Sequence, residues 1–332
     1  MLERMRHLVE ARWPSQHRQT PRRDARLDET VDRVAQIVSP KIKAMHDYRR
    51  RLREPVQQAL DFFRQAADSL VGPVVMQPGL WRTDPLLNAC FSSMEQLSGF
   101  LRNSESLRRQ AAKSSQGEIY FLLTMDRREE STLGCVVECE VARRDVLQTV
   151  VTFSDHRAHA PAATLEEARE TMARGALEHL AARARAHIVD NRKQIEELER
   201  ARAMLKSELK LLELERHGLG EAFVDADMRR KLSEGEQALH ELASNMAQLR
   251  SEFVELADYL EFAVRAFEEP GEFVTFSTVT LVVNRQGIKD YQGQDDPSRP
   301  IRFSEIRLAD RTRAAFVARC SAADVLADTD RG

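Results

Sequence analysis

The chain has 332 residues, of which 31% are charged, and its formal net charge at pH 7 is -3. This length allows two domains and a full hydrophobic core, and it excludes a single small module. The mean hydropathy of -0.48 and the lack of a long uncharged apolar run predict no transmembrane segment. Charges occupy the first seven residues, where a secretory signal needs an apolar core, so we expect a cytoplasmic protein.

The N-terminal region is predicted to contain an arm and then helices. Residues 1–23 are rich in arginine and show no sustained apolar period, which is typical of a flexible basic arm. Residues 24–70 carry apolar side chains at helical spacing, with Ser39 and Pro40 as the cap and first turn of a second helix. Pro55 is expected to kink or restart that helix.

The next segment, residues 71–117, is predicted to be a loop followed by an amphipathic helix. Its first part contains Gly72, Pro73, Pro78 and Gly79, which favour a connecting loop. The pair Asp84-Pro85 then marks a helix start, and we expect that helix to continue to about residue 109.

Two segments rich in β-formers predict the β-sheet body. Residues 118–160 form its first part and residues 272–320 its second, and residues 321–332 form a tail. We favour one antiparallel sheet that draws strands from both segments, and two separate sheets are the alternative. The individual predictions are strands at 118–125, 132–140 and 146–153 with charged turns at 126–130 and 143–145, then a strand at 273–283, a turn at 284–287 and a hairpin of 301–308 with 313–320.

Between the two strand segments, residues 164–269 carry two heptad ladders. The alternating spacing of three and four residues is that of a coiled-coil seam, and Gly218 and Gly220 favour a chain reversal between the ladders. The first ladder is Ile188, Asn191, Ile195, Leu198, Arg202, Leu205, Leu209 and Leu212; the second is Leu232, Gly235, Leu239, Leu242, Met246, Leu249, Phe253, Leu256, Leu260, Ala263 and Phe267.

These patterns predict an α+β, predominantly helical fold, in which a long antiparallel coiled-coil hairpin is inserted in a small antiparallel β-sheet body with N-terminal helices. Within the hairpin, the register we favour places Arg202 opposite Gly235, which would leave the guanidinium a path to water. A register one heptad further along is the alternative.

The sequence contains no common catalytic or nucleotide-binding pattern. Glycine accounts for 13 of 332 residues, and no P-loop, dinucleotide-binding, metalloprotease, nucleophile-elbow or paired Cys-x-x-Cys motif occurs. We therefore expect no cofactor and no catalytic residues. The nearest chemical cluster is His156 and His159, which could bind a metal with Asp155 or a helical histidine; solvated or capping imidazoles are the favoured alternative.

Charge is distributed unevenly along the chain. Residues 1–53 hold 14 Lys and Arg against 7 Asp and Glu, whereas residues 221–270 hold 5 against 12. The basic run of Arg49, Arg50, Arg51 and Arg53 could bind nucleic acid or anionic lipid. The competing interpretation, which we favour, is that this region contacts the acidic second ladder of its own or a neighbouring chain.

Two places are candidates for binding a protein partner. Trp81 and Arg82 combine an aromatic ring with an arginine in a loop, as interaction hot spots do, although Trp81 could instead pack beneath the loop. At the hairpin tip, Leu219, Phe223 and Val224 place apolar groups near a turn, where they could bind a partner or close the end of the seam.

The leading functional hypothesis is a non-enzymatic cytoplasmic scaffold or adaptor, of bacterial type by its arginine- and alanine-rich composition, that binds protein partners or itself through the coiled-coil arm. The second is a nucleic-acid-associated factor that uses the basic N-terminal region. The third is an enzyme with a site near His156 and His159.

Overall fold

A computed structural model describes residues 21–113, 117–138, 141–219, 226–253, 255–289, 298–308 and 311–327. Most of this chain is helical, and the strands form one small sheet. The helices are α1 (Pro21–Val38), α2 (Tyr48–Ser69), α3 (Pro85–Cys90), α4 (Met94–Asn103), α5 (Glu105–Ala111), α6 (Leu165–Leu219), α7 (Ala226–Glu252), α8 (Leu256–Glu268) and α9 (Ala322–Leu326). The strands are β1 (Val74–Val75), β2 (Glu118–Glu138), β3 (Val141–Ala162), β4 (Val274–Val283), β5 (Arg299–Leu308) and β6 (Thr312–Ser321).

The sheet joins strands from both ends of the sequence. Its order is β3-β2-β6-β5-β4, these neighbours are antiparallel, and β1 pairs with β6 in parallel. Strand β2 precedes the long helices and β6 follows them, and they pair from Glu118 opposite Ser321 to Met125 opposite Ala314. The prediction of a single sheet is therefore confirmed, as are the β4 strand and the β5–β6 hairpin.

The turn that follows β4 brings the two edges of the sheet together. Asn284 Oδ1 accepts hydrogen bonds from the backbone nitrogens of Gln286 (3.1 Å) and Ile288 (2.8 Å), and Gly287 adopts a φ of 78° that favours glycine. The Val151 nitrogen on β3 donates to the Gly287 carbonyl at 2.8 Å. The sheet is thus curled, and β4 reaches the outer edge of β3 through this turn.

The long β2–β3 ribbon corrects the predicted meander. The charged stretch 126–130, which predicts a turn, lies inside β2, and β3 continues beyond residue 153, the predicted end of its strand, to Ala162. These charged side chains fit within a strand because they form ion pairs with residues distant in the sequence. Arg127 pairs with Glu305 at 3.0 Å, and Asp126 pairs with Arg313 at 3.0 Å. A strand can therefore continue where a local pattern predicts a turn.

One face of the sheet is covered by short helices and forms the first core. Buried phenylalanines from β2, β5 and β6 pack there with Phe91. Asp84 Oδ1 accepts from the backbone nitrogens of Leu86 (2.8 Å) and Leu87 (3.1 Å), which confirms the predicted helix start. The helix expected to continue to residue 109 is instead divided into α3, α4 and α5, since new helix starts occur at Ser93 and Ser104. The predicted loop 71–81 contains β1.

The N-terminal helices also differ in detail from the prediction. Helix α1 already begins at Pro21, so the end of the predicted arm 1–23 is helical, and residues 1–20 lie outside the described residues. Pro40 begins a short 3-10 turn rather than an α-helix. Helix α2 runs from Tyr48 to Ser69 with Pro55 inside it and without a restart.

The first third of α6 is the centre of a second core. Leu177, Leu180 and Ala184 are fully buried against α1, α2 and α8. The predicted projecting hairpin of residues 164–269 is therefore too long, because its base belongs to the body. Its second helix is also interrupted: α7 ends at Glu252 and α8 begins after Glu255, whose side chain forms a capping box with Asp258.

Candidate functional site

The distal part of α6 and helix α7 form a two-helix arm, which we define as residues 191–219 and 226–250. At 1.5 Å per residue the α6 part spans about 40 Å. On both helices the residues at an alternating spacing of three and four are buried or half-buried. They are Asn191, Ile195, Leu198, Arg202, Leu205, Leu209, Leu212 and Arg216 on α6, and Met228, Leu232, Gly235, Leu239, Leu242, Met246 and Leu249 on α7. We call this the inner face of the arm.

Contacts across the inner face determine the register. Leu209 lies against Gly235, where an added Cβ would come within 2.5 Å of Leu209 Cδ2. The register that we favoured, with Arg202 opposite Gly235, is therefore wrong, and the alternative one heptad further along agrees with this contact. The Asn191 amide nitrogen donates to the Leu249 carbonyl at 3.2 Å and to Glu252 at 2.9 Å. A buried polar contact of this kind fixes register at some cost in stability.

A second apolar line lies on the opposite, solvent-facing side of α6. Met204, Leu211 and Leu214 are 74%, 62% and 59% exposed. With the small, exposed Ser207 between them, they repeat the three-and-four spacing of a helix-packing seam. At 100° per residue this line is centred on the side of α6 away from α7. We call Met204, Ser207, Leu211 and Leu214 the outer stripe.

Acidic side chains follow the outer stripe along one side. Glu208 and Glu215 are both exposed, and each lies next to an apolar residue of the stripe. The other side carries Ala203 and Lys210. The outer stripe therefore has an apolar centre and one acidic border, the pattern that a helix with a basic border would complement.

The first predicted partner site is the tip of the arm. Phe223 and Val224 lie outside the described residues, and so does the side chain of Leu219, whose backbone ends α6. The hypothesis that the tip binds a partner stays a prediction from the sequence.

The second predicted partner site, Trp81 and Arg82, lines a cleft of about 600 Å³ in the body. The turn at Arg285 to Gly287 forms the opposite side of this cleft. Trp81 packs against the first core and its Nε1 donates to the Phe91 carbonyl at 2.8 Å, so the indole holds the loop in place. Arg82 is exposed at the cleft.

The basic run on α2 is engaged with acidic residues of its own chain. Arg49 binds Asp32 through two nitrogens, at 2.8 Å and 2.6 Å, and Arg53 binds Asp28 at 2.7 Å. Arg50 lies 3.9 Å from Asp47, and Arg51 is half-buried. The contacts with Asp32 and Asp28 hold α1 against α2. These acids belong to α1, not to the second ladder that we expected to attract the basic region.

The two histidines of the proposed metal cluster make separate contacts. His156 Nε2 lies 2.8 Å from the Cys90 carbonyl, and its ring stacks on Phe91 with centroids 4.4 Å apart. His159 Nε2 lies 3.1 Å from Thr124 Oγ1, in a cleft between the sheet and α6. Burial is the largest cause that lowers the pKa of both rings.

No metal centre or membrane span can be identified in the described ranges. Among these residues, no group of three His, Cys, Asp or Glu side chains is arranged to hold a metal ion. None of the helices described is both long and apolar enough to cross a bilayer. No protein-family model matches the chain, and no curated protein or solved structure matches it either.

The outer stripe was missed in the sequence, although a signal for it was present. Met204-Leu205 and Leu211-Leu212 are adjacent apolar pairs. In a helix one member of such a pair lies about 100° from the other, so one can enter the inner face while the other stays outside. The ladder predicted for the inner face accounts for Leu205 and Leu212 but not for Met204 and Leu211, the other members of the two pairs.

Proposed function

We propose that this protein is a non-enzymatic scaffold or adaptor, whose arm binds an amphipathic α-helix of a partner protein along the outer stripe. The observation that carries the proposal is the second three-and-four apolar line on the solvent side of α6. Met204, Leu211 and Leu214 are exposed in one line that only Ser207 interrupts, and exposed apolar residues grouped on one surface mark interaction sites.

The chemistry of the outer stripe supports a helix as the partner. An apolar line with this spacing accepts side chains of a second helix between its own, which then form a three-helix coiled coil with the inner seam of α6 and α7. Glu208 and Glu215 on one border favour a partner with Lys or Arg along the facing edge. The exposed arm presents this line away from the cores of the body.

Photo-crosslinking from position 207 tests the proposal. Ser207 is exposed within the outer stripe, and benzoylphenylalanine incorporated there in the native cell would react with whatever covers the stripe. We expect crosslinks to one partner protein, mapped by mass spectrometry to an amphipathic helix with a basic border. His240, which is exposed on α7 away from the inner face, provides the matched control position and should give no such crosslink.

Two results would reject the proposal. Crosslinks confined to a second copy of this chain would assign the outer stripe to self-association, and the absence of any crosslink above the His240 control would leave the stripe without a partner. A crosslink to a strand or a loop of another protein would contradict the helical occupant.

A further inference from the structure

A cleft of about 440 Å³ lies between the helical layer and the second face of the sheet. It is mainly apolar and lies among α2, α6 and strands β2 to β6. Its walls include Phe63, Leu122, Met172, Phe276, Ile306 and Leu308. The cleft is open to solvent at the exposed Thr171, Gly175 and Arg311, and volumes in this range are typical of sites for small organic ligands.

The wall of the cleft that α6 forms includes small residues. Gly175 lies in the interior of α6, where a Cβ built on it would meet no atom within 4 Å. Alanine is more favourable than glycine inside a helix, and here the structure has room for it. Ala176 follows Gly175 in the same wall. Gly175 is exposed, so the cleft opens to solvent here, and the absence of a side chain at this position widens the opening.

One end of the cleft is polar and rich in arginine. Arg313 is 7% exposed. Its terminal nitrogens bind the Asp155 carboxylate at 2.7 Å, the Asp155 carbonyl at 2.6 Å and Asp126 at 3.0 Å. Its Nε is buried and has no hydrogen-bond partner among the described residues. Arg311 is exposed at the same end of the cleft.

The surroundings of His159 show which charge predominates at this end. After burial, the causes that lower the pKa of His159 are the positive charges of Arg313, Arg157 and Arg311, and the negative charge of Asp155 raises it. Asp155 is itself paired with Arg157 at 3.0 Å as well as with Arg313. Arg311 and Arg313 line the cleft, and its lining among the described residues includes no Asp or Glu, so this end favours an anion.

We propose that the cleft binds an amphipathic carboxylic acid with an unbranched alkyl chain, a fatty acid of medium length. The chain lies along Met172 and Phe276, beside Gly175, and the carboxylate lies at the end formed by Arg311, Arg313 and His159. The apolar walls stabilise the chain by excluding water, and the arginines stabilise the charged head through charge-assisted contacts.

Methyl NMR with decanoate as the probe tests this site. We expect the Met172 methyl signal to shift saturably, while the signals of Met125 in the first core and Met246 on the inner face of the arm stay in place, because neither lines the cleft. An unchanged Met172 signal at decanoate concentrations below micelle formation would overturn the proposal.

Filling the cleft gives a test that does not depend on Met172 alone. Gly175→Leu places an isobutyl group where the alkyl chain would lie, so the affinity for decanoate should fall by at least about tenfold without a lower melting temperature. Gly99→Leu is the matched control, because Gly99 lies inside α4 and its added Cβ would meet only the Asn103 amide at 4.0 Å. Undiminished binding by Gly175→Leu would contradict the proposal.

The charged head is tested separately from the chain. Arg311→Gln should weaken decanoate binding by about tenfold, the scale of one hydrogen bond to a charged group, and should leave the binding of decanol unchanged. Wild-type protein should prefer decanoate to decanol. Equal affinity for the two compounds, or equal losses for both in Arg311→Gln, would reject recognition of a carboxylate.

Discussion

The same helix, α6, lies in two very different environments. Between Leu177 and Ile188 it is surrounded by α1, α2 and α8, and several of its side chains are fully buried. Beyond the contact of Arg192 with Tyr259 of α8, α6 packs along its inner face against α7, and Leu209 is the one apolar residue there that is buried on the α6 side in the described range. We therefore expect the body to supply most of the stability, while the arm exposes an apolar line that makes no contact within the described residues.

The largest expected effect tests whether stability is concentrated in the body. Leu180→Ala removes a fully buried side chain at the centre of the second core, which typically costs about 2–5 kcal/mol. Leu205→Ala removes the same atoms from a half-buried position on the inner face and should cost less. Denaturant unfolding of both variants measures the difference, and an equal or larger loss for Leu205→Ala would contradict this comparison.

Acid should weaken the body through Asp155. Arg313 and then Arg157 lower the pKa of this carboxyl group, so its contribution is present above its unfolded pKa of about 3.9 and is lost as the pH falls through its lower folded pKa. Asp155→Asn should lower the melting temperature at neutral pH, and the gap to wild type should narrow as the pH falls below about 4.

The matched control for this pH series is Asp190→Asn, on an exposed part of α6 where the carboxylate lies 4.0 Å from Lys193. That variant should differ little from wild type at any pH, because exposed ion pairs contribute little. A gap between Asp155→Asn and wild type that stays constant down to acid unfolding would refute the role of the Asp155 charge.

Two glycines, one on each long helix, allow the body and the arm to be compared through the smaller effect of a single added methyl group. Gly175→Ala adds a Cβ to open space and should stabilise the protein by about 1 kcal/mol, the difference in helix propensity. Gly235→Ala forces Leu209 aside on the inner face of the arm, and overpacking of about 1–3 kcal/mol should offset that gain. Hydrogen exchange of α6 and α7 should show faster opening of the arm only in Gly235→Ala; equal stabilisation by both changes would sink the prediction.

The smallest expected effect concerns the surface contacts that hold α1 to α2. Arg49→Gln removes the pairing with Asp32, so amide exchange in α1 should become slightly faster, and added salt should have the same direction of effect in wild type. Lys41→Gln, an exposed change on the preceding 3-10 turn, is the control. If Arg49→Gln left α1 unchanged but abolished binding to DNA or RNA, the nucleic-acid hypothesis would replace this interpretation.

The spacing of apolar residues predicted which segments are helices or strands better than it predicted which other elements each one packs against. The spacing of three and four residues identified the inner face of the arm, but the same spacing continues through Ile188 into the second core. The spacing of apolar residues shows which side of a helix is buried, but it does not show which element buries it. For this reason the sequence pattern placed the base of α6 in the hairpin, whereas it packs in the body.

Long-range charge pairs explain the remaining errors in the sheet. Residues 126–130 read locally as a turn, whereas their partners Glu305 and Arg313 are far away in the sequence. Contacts distant in the sequence also determine the candidate sites. The Trp81 Nε1 donates to the Phe91 carbonyl. The cleft beside Gly175 is formed by α2, α6 and several strands. No local motif could indicate that cleft.

The most direct measurement of the central claim is the size of the native complex formed by a variant that lacks the outer stripe. Met204→Gln, Leu211→Gln and Leu214→Gln together replace exposed side chains, so the melting temperature should hardly change. The control is Leu133→Gln with Leu147→Gln, which alters the exposed pair that faces across the β2–β3 ribbon.

Size-exclusion chromatography of native extracts then compares how much of each variant elutes above the size of the purified chain. We predict that the outer-stripe variant elutes as the free chain, whereas the ribbon control elutes with the complex as wild type does. An outer-stripe variant that remains in the complex, or an equal loss in the ribbon control, would contradict the account.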